Sequence, residues 1–117
     1  MSNNILKEFA LVNKPEDSLS SNQYQVYVYG NDRNPMTPHF HFFDKTKQLF
    51  HVEIQIQGVN EKIKILHHKF TPSTVELNKA LLMLRGWLNQ ESKRIPQHTN
   101  YQSLIIFWNA NNPNNEI

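Results

Sequence analysis

The hydrophobic pattern of this chain changes its period near Thr71, and that change limits the possible folds more than any other feature. Before it, apolar and polar residues alternate in short runs rich in β-branched and aromatic residues, a pattern typical of strands. After it, apolar residues recur at the intervals of an amphipathic helix. A run of strands followed by helices predicts an α+β domain, since an α/β fold would alternate the two elements.

The first half of the chain predicts a three- or four-stranded antiparallel meander. The expected strands cover residues 23–29, about 39–43, about 49–57 and about 62–67. Pro35 and Pro38 separate the first two strands because proline cannot donate a hydrogen bond to a ladder. The later strands are joined by short polar links, residues 44–48 and 58–61, which favour consecutive hairpins.

The second half predicts two helices that pack across one face of the sheet. The apolar stripe of the first helix consists of Leu77, Leu81, Leu84 and Leu88. This helix begins either with Thr71 as its cap and Pro72 at the first helical position, or with a capping box of Ser73 and Glu76. The pair Ile95-Pro96 marks its expected end.

The second helix is expected to start at a capping box made by Thr99 and Gln102. Its apolar face consists of Tyr101, Leu104, Ile105 and Trp108. Residues 111–117 are rich in asparagine and are expected to fray, and residues 1–22 are expected to form an arm or a short helix and a loop. Residues 1–117 are predicted to be one domain, because this length suits a single hydrophobic core.

Composition excludes several classes of protein. The chain has no cysteine, so disulfides and thiolate metal sites are excluded. No apolar stretch approaches the roughly 20 residues that span a bilayer, and the N-terminus carries no secretory signal. We therefore expect a cytoplasmic protein without a membrane partner.

The net charge of +2 is nearly balanced and gives a nucleic-acid partner little support. The densest basic group is interpreted as a solvated strand edge. It consists of Lys62, Lys64, His67, His68 and Lys69. A group of aromatic residues could form a platform for stacking bases, although core packing explains them more simply. These residues are Tyr24, Tyr27, Tyr29, Phe40, Phe42 and Phe43.

The segment Pro38-His39-Phe40-His41-Phe42 places its histidines and phenylalanines on opposite faces of the second strand, because side chains alternate along a strand. The phenylalanines suit the core. In the third strand the same rule puts the polar residues His51 and Glu53 opposite an apolar face. That apolar face consists of Phe50, Val52, Ile54 and Ile56.

Two hairpin registers would bring the polar residues together. One register sets His41 opposite His51 and His39 opposite Glu53, and the next sets His68 opposite His51. The resulting candidate site has five members on one sheet face. They are His39, His41, His51, Glu53 and His68. His67 is expected to point to the core side or to lie past the strand end.

Imidazoles from His39, His41 and His51 could bind a divalent metal such as zinc. An open position on the metal would suit hydrolysis by activated water, as in a metal-dependent hydrolase or nuclease. General acid–base catalysis is a second interpretation, in which Glu53 raises the basicity of His39. Two further interpretations are a metal-independent nuclease with paired histidines and a lysine, and a half-exposed polar sheet face with neutral histidines.

The stretch from Tyr29 to Phe42 resembles a small bacterial family of unknown function whose hallmark is Asn-Pro-Pro-His-Phe-His-Val. The resemblance extends over about residues 24–112. In this chain Arg33 stands where that family commonly has histidine, and Met36-Thr37 separate the two prolines. Arg33 lies in an Asn- and Asp-rich turn and is also a candidate for holding a phosphate.

The resemblance implies a compact α+β protein of bacterial genomes, of a kind often found on mobile elements or beside toxin–antitoxin-like genes. It therefore favours a small binding or interaction protein, with a metal-dependent hydrolase or nuclease as the alternative. The partner would be another protein or a second copy of the chain. An edge of the sheet, at the first or fourth strand, could mediate such a dimer.

Overall fold

Alternating apolar and polar residues build four strands in the computed structural model, which describes residues 23–28, 37–70 and 72–117. The strands are β1 (Tyr24–Tyr27), β2 (His39–Asp44), β3 (His51–Gln55) and β4 (Ile65–His68). They form one antiparallel sheet in the order β1-β2-β3-β4. This order is a meander, as the short links between successive strands predict.

Two helices follow the sheet, α1 (Thr74–Leu88) and α2 (Asn100–Asn111). Their inward side chains join one face of the sheet in a single hydrophobic core. Fully buried members of this core include Phe40, Phe42, Phe50, Ile54, Leu84, Leu88, Leu104 and Trp108. The predicted α+β fold, an antiparallel sheet followed by two helices, is confirmed. Within the described chain, neither helix is long and apolar enough to cross a membrane.

The two ends of α1 differ from the sequence prediction. Ser73 occupies the N-cap position, but its side chain makes no capping hydrogen bond, and Pro72 lies before the helix rather than in its first turn. The helix ends well before Ile95-Pro96. Its last residue is Leu88, and Asn89 is the C-cap. The helix stops at Leu88 because the side-chain amide of Asn89 donates to the carbonyl oxygen of Arg85 at 3.2 Å, and this local hydrogen bond competes with continuation of the helix.

The start of α2 is the predicted capping box, and the tail after α2, which is expected to fray, forms hydrogen bonds with the helix. Thr99 Oγ1 accepts from the backbone N–H of Gln102 at 3.1 Å, and Gln102 Oε1 accepts from the backbone N–H of Thr99 at 2.8 Å. Residues 111–117 return toward α2, where the Trp108 indole N–H donates to the carbonyl oxygen of Asn115 at 2.8 Å. A buried indole requires such an acceptor, which explains why the tail is held.

The expected arm at residues 1–22 lies outside the described residues and stays a prediction. Within the sheet, β1 and β4 are the edge strands, and these are the two strands that could mediate dimerisation. A dimer formed through either edge also stays a prediction.

Candidate metal centre

The strand β2 buries both of its faces. Phe40 and Phe42 are fully buried in the core, and on the opposite face His39 and His41 are only 2% and 3% exposed. The predicted alternation of histidine and phenylalanine is therefore confirmed, but the histidines are not half-exposed. Imidazoles buried this deeply require polar partners, because an unpaired buried polar group destabilises the fold.

The register between β2 and β3 differs from the predicted register by two residues. His41 lies opposite Glu53, and Phe43 lies opposite His51. The prediction that His41 faces His51 directly is wrong. A shift of two residues keeps every side chain on its predicted face, so the histidines and Glu53 still share one side of the sheet.

The loop after β2 causes this shift. The buried carboxylate of Asp44 accepts hydrogen bonds from the backbone N–H groups of Lys47 and Leu49, at 3.0 Å and 3.4 Å. The backbone N–H of Asp44 then donates to the carbonyl oxygen of Phe50 at 3.0 Å, so the loop covers residues 45–49. The predicted link, residues 44–48, is centred on Thr46, whereas the observed loop is centred on Lys47, and this displacement by one residue changes the pairing by two.

A bulge between β3 and β4 decides which histidine of β4 reaches the site. The register shifts at Glu53, so that Glu53 lies opposite His67 and Val52 lies opposite His68. Opposed residues share a face of the sheet, so His67 is on the side of Glu53 and His68 is not. The predictions for these two histidines are wrong, because the extra residue of a bulge reverses the alternation.

Three of the predicted site residues converge, namely His39, His41 and Glu53. One ring nitrogen of each histidine and one carboxylate oxygen lie within 4.8 Å of one another, and this group could hold a metal ion. Within this group, His39 Nε2 and Glu53 Oε1 are 3.8 Å apart. Two imidazoles and a carboxylate are a ligand set used by zinc and iron enzymes. The third candidate metal ligand is thus Glu53, whereas the sequence pattern predicts His51 in that role.

A backbone hydrogen bond orients the ring of His39. Its Nδ1 lies 2.9 Å from the carbonyl oxygen of Thr37, which can only accept, so Nδ1 carries a hydrogen. A neutral His39 therefore has its lone pair on Nε2, the nitrogen that faces Glu53. Histidines that bind metals are commonly oriented by a bond of this kind from the other ring nitrogen.

His51 and Tyr27 contact His41 from the two neighbouring strands. His41 Nδ1 lies 3.2 Å from His51 Nε2, and the Tyr27 hydroxyl lies 3.3 Å from the same nitrogen. The Tyr27 ring stacks on the His41 ring at 4.9 Å, with 4° between the planes. The sequence pattern alone does not assign Tyr27 to the site. The pairing of β1 with β2, which sets Tyr27 opposite His41, is the signal that identifies it.

Like Tyr27, Lys69 is a residue of the site that the sequence pattern alone does not identify, and it contacts Glu53. Its Nζ lies 2.9 Å from Glu53 Oε2, and its side chain is 40% exposed while that of Glu53 is 13% exposed. Lys69 follows His67 by two positions, so the alternation of β4, continued past its end, brings both to one face. The predicted place of Lys69 was a solvated basic edge instead.

Burial and neighbouring charges shift three pKa values in this cluster. Burial, followed by the proximity of His39, lowers the pKa of His41 to about 3, so its ring is neutral at pH 7. Burial and then Lys69 lower the pKa of His51. Burial alone would raise the pKa of Glu53, but the hydrogen bond from Lys69 and the nearby histidines outweigh it and lower that pKa. Neutral imidazole and ionised carboxylate are the forms that bind metals.

Acidification from pH 7 to pH 5 is expected to destabilise the metal-free protein by about 2 kcal/mol, because buried His41 resists protonation. The unfolded chain takes up this proton near pH 6.5, whereas the folded chain takes it up only near pH 3. The contribution of His41 is therefore complete above pH 6.5 and is lost as the pH falls toward 3. Urea unfolding at both pH values, in the presence of EDTA, measures this loss.

Two variants separate His41 from the other titrating groups. His41→Gln is expected to reduce the pH dependence of the free energy of unfolding, because the titrating ring is gone. His68→Gln changes an exposed position and is expected to leave that dependence unaltered. An equal dependence in the wild type and in His41→Gln would contradict a buried, neutral His41.

A small pocket of about 230 Å³ lies beside the cluster. Its lining residues are Thr37, His39, Glu53, Leu66 and His67. Two of the three candidate ligands, His39 and Glu53, thus border a space that a small molecule can enter. A metal ion held there would have protein ligands on one side and this pocket on the other.

Of two other candidates from the sequence, one belongs to the core and the other lies outside the described residues. Tyr24 is buried and packs on Phe42 and Phe50, with ring centroids 5.9 Å and 5.8 Å apart. This part of the aromatic platform is therefore core and does not stack on bases. Arg33, the candidate for phosphate, lies outside the described residues together with Tyr29.

Comparisons with protein families, with curated proteins and with solved structures find no match for this chain. The resemblance to a small bacterial family stays a prediction, and any functional assignment rests on the cluster of His39, His41 and Glu53. Three protein ligands with a position open to a pocket are typical of catalytic zinc sites, whereas structural zinc sites usually have four.

Proposed function

We propose that this protein is a metal-dependent hydrolase that binds one divalent ion, such as zinc, through His39, His41 and Glu53. The observation that carries this proposal is the convergence of three ligand atoms within 4.8 Å. All three residues lie on the paired strands β2 and β3, which hold a site more rigidly than loops do.

The separation of the ligand atoms supports a metal ion rather than a direct bond between the side chains. His39 Nε2 and Glu53 Oε1 are 3.8 Å apart, which is too long for a hydrogen bond. Zinc bonds of about 2.0–2.1 Å place tetrahedral ligand atoms about 3.3–3.4 Å apart. A contraction of about 0.5 Å would therefore let one ion contact both atoms.

The surroundings of the three ligands also support the proposal. His39 is oriented by the carbonyl oxygen of Thr37, His41 contacts His51, and Glu53 is bonded to Lys69. Partners of this kind fix the orientation of metal ligands and tune the ion. A divalent ion held by these residues with an open position would lower the pKa of a bound water and so make it a nucleophile for hydrolysis.

Zinc binding by the untagged protein is the direct test. Protein stripped with a chelator is expected to bind one equivalent of Zn²⁺ in equilibrium dialysis. Glu53→Gln keeps the shape of the side chain but removes its charge. It is expected to weaken zinc binding by at least about 100-fold, since loss of an outer partner alone costs about 10–100-fold.

The exposed variant His68→Gln serves as the matched control and is expected to retain zinc binding. Absence of bound zinc in the wild type, or equal affinity in wild type and Glu53→Gln, would overturn the proposal. An interaction protein of toxin–antitoxin type, which the resemblance implies, needs no metal ion. Absence of bound zinc would therefore favour the interaction protein, whereas the hydrolase requires both bound zinc and its loss in Glu53→Gln.

A further inference from the structure

Among the residues that the structure describes, those that line the pocket beside the candidate centre carry little negative charge to balance a metal ion. Glu53 is the acidic residue among those that line it, and the Glu53 carboxylate is already 2.9 Å from the Lys69 ammonium group. The charges of Glu53 and Lys69 cancel, so a divalent ion would leave the cluster with a charge near +2. A positive centre at the base of a pocket attracts an anion.

The volume of the pocket limits the size of that anion. About 230 Å³ is below the range of about 300–1,000 Å³ found for pockets that enclose drug-sized ligands. At about 30 Å³ for each water molecule, the space equals roughly eight waters. It therefore holds one tetrahedral oxyanion with a few waters, or the charged end of a larger molecule.

The side chains around the pocket suit a phosphate group. The ammonium group of Lys69 lies 2.9 Å from Oε2 of the lining residue Glu53, although Lys69 itself does not line the pocket, and lysine is a common phosphate-binding residue. His67 and Thr37 line the pocket and can both donate hydrogen bonds. His67 lies opposite Glu53 only because of the bulge at Leu66 in β4, and bulges often redirect side chains near active sites.

We propose that the pocket binds a phosphate group, which would become a further ligand of the metal ion and would contact Lys69 and His67. This inference rests on the proposed metal site and adds its substrate class, the phosphate esters. Such a group could belong to a nucleic-acid backbone or to a small phosphorylated molecule, and both share this chemistry.

Cobalt(II) provides the test, because its visible absorption changes when a new ligand enters its coordination sphere. Inorganic phosphate is titrated into the cobalt-loaded protein, and a saturable change in absorption is expected. Lys69→Gln is expected to weaken phosphate binding by about tenfold or more, since it removes a charged hydrogen-bond donor. Lys64→Gln makes the same change at another exposed lysine, which does not form the ion pair with Glu53, and is expected to have little effect.

The outcomes separate this inference from the metal site itself. Cobalt binding without any spectral change on addition of phosphate would overturn the inference and leave the metal site intact. Failure to bind cobalt would overturn both. Equal weakening by Lys64→Gln and Lys69→Gln would also overturn it, because attraction would then be unspecific. Displacement of phosphate by a single-stranded oligonucleotide would support a phosphodiester, and binding of phosphate alone would support a terminal phosphate.

Discussion

Replacing Trp108 by alanine is expected to lower the free energy of unfolding by about 3–5 kcal/mol, the usual cost of removing a buried aromatic ring. Trp108 has no exposed surface and belongs to the core that α2 forms with the sheet. Its indole N–H donates to Asn115, and its ring lies 5.6 Å from the His39 ring. The substitution thus removes core packing, a tail contact and a neighbour of the candidate centre.

Urea unfolding followed by circular dichroism measures this loss. Trp108→Phe keeps a ring but removes the N–H donor, and its cost is expected to be intermediate, about 1–3 kcal/mol. Ile106 lies on the same helix but is 39% exposed, so Ile106→Ala is expected to cost less than about 1 kcal/mol. Similar losses for Trp108→Ala and Ile106→Ala would contradict the packing of α2 on the sheet.

The sequence predicts the fold class because the signals for strands and helices are local. Alternation assigns Phe40 and Phe42 to the core, and the reciprocal bonds of Thr99 and Gln102 follow from their spacing. Alternation also places His39, His41 and Glu53 on one face, since a shift of two residues leaves faces unchanged. The three residues of the cluster can thus largely be predicted from the alternation of a single strand pair, β2 and β3.

Contacts between residues on different strands cannot be predicted in this way, because they depend on the register. The β2–β3 register depends on the inward carboxylate of Asp44, and an acidic residue after a strand normally predicts an exposed turn. The exchange of His68 for His67 depends on a bulge at Leu66 in β4, and no residue type in that strand predicts it. The roles of Tyr27 and Lys69 follow only after both registers are known.

Saturating zinc is expected to raise the free energy of unfolding by about 4 kcal/mol when free zinc is about 1,000 times Kd. An ion that binds the folded chain alone stabilises it by this mass-action term, whatever its other effects. For a domain of this length the increment corresponds to a rise in Tm on the order of 10–20 °C. Thermal unfolding of the same protein in zinc and in EDTA measures it.

The increment must depend on the proposed ligands. In His39→Gln the nitrogen that faces Glu53 is lost, so zinc is expected to change Tm by only a few degrees, while His68→Gln is expected to keep the full rise. Each variant is compared with its own EDTA sample, which removes any intrinsic cost of the substitution. Magnesium prefers oxygen ligands and is expected to give no rise. An equal zinc increment in His39→Gln, or an equal effect of magnesium, would show that the ion binds elsewhere, because any site at the cluster needs the His39 nitrogen.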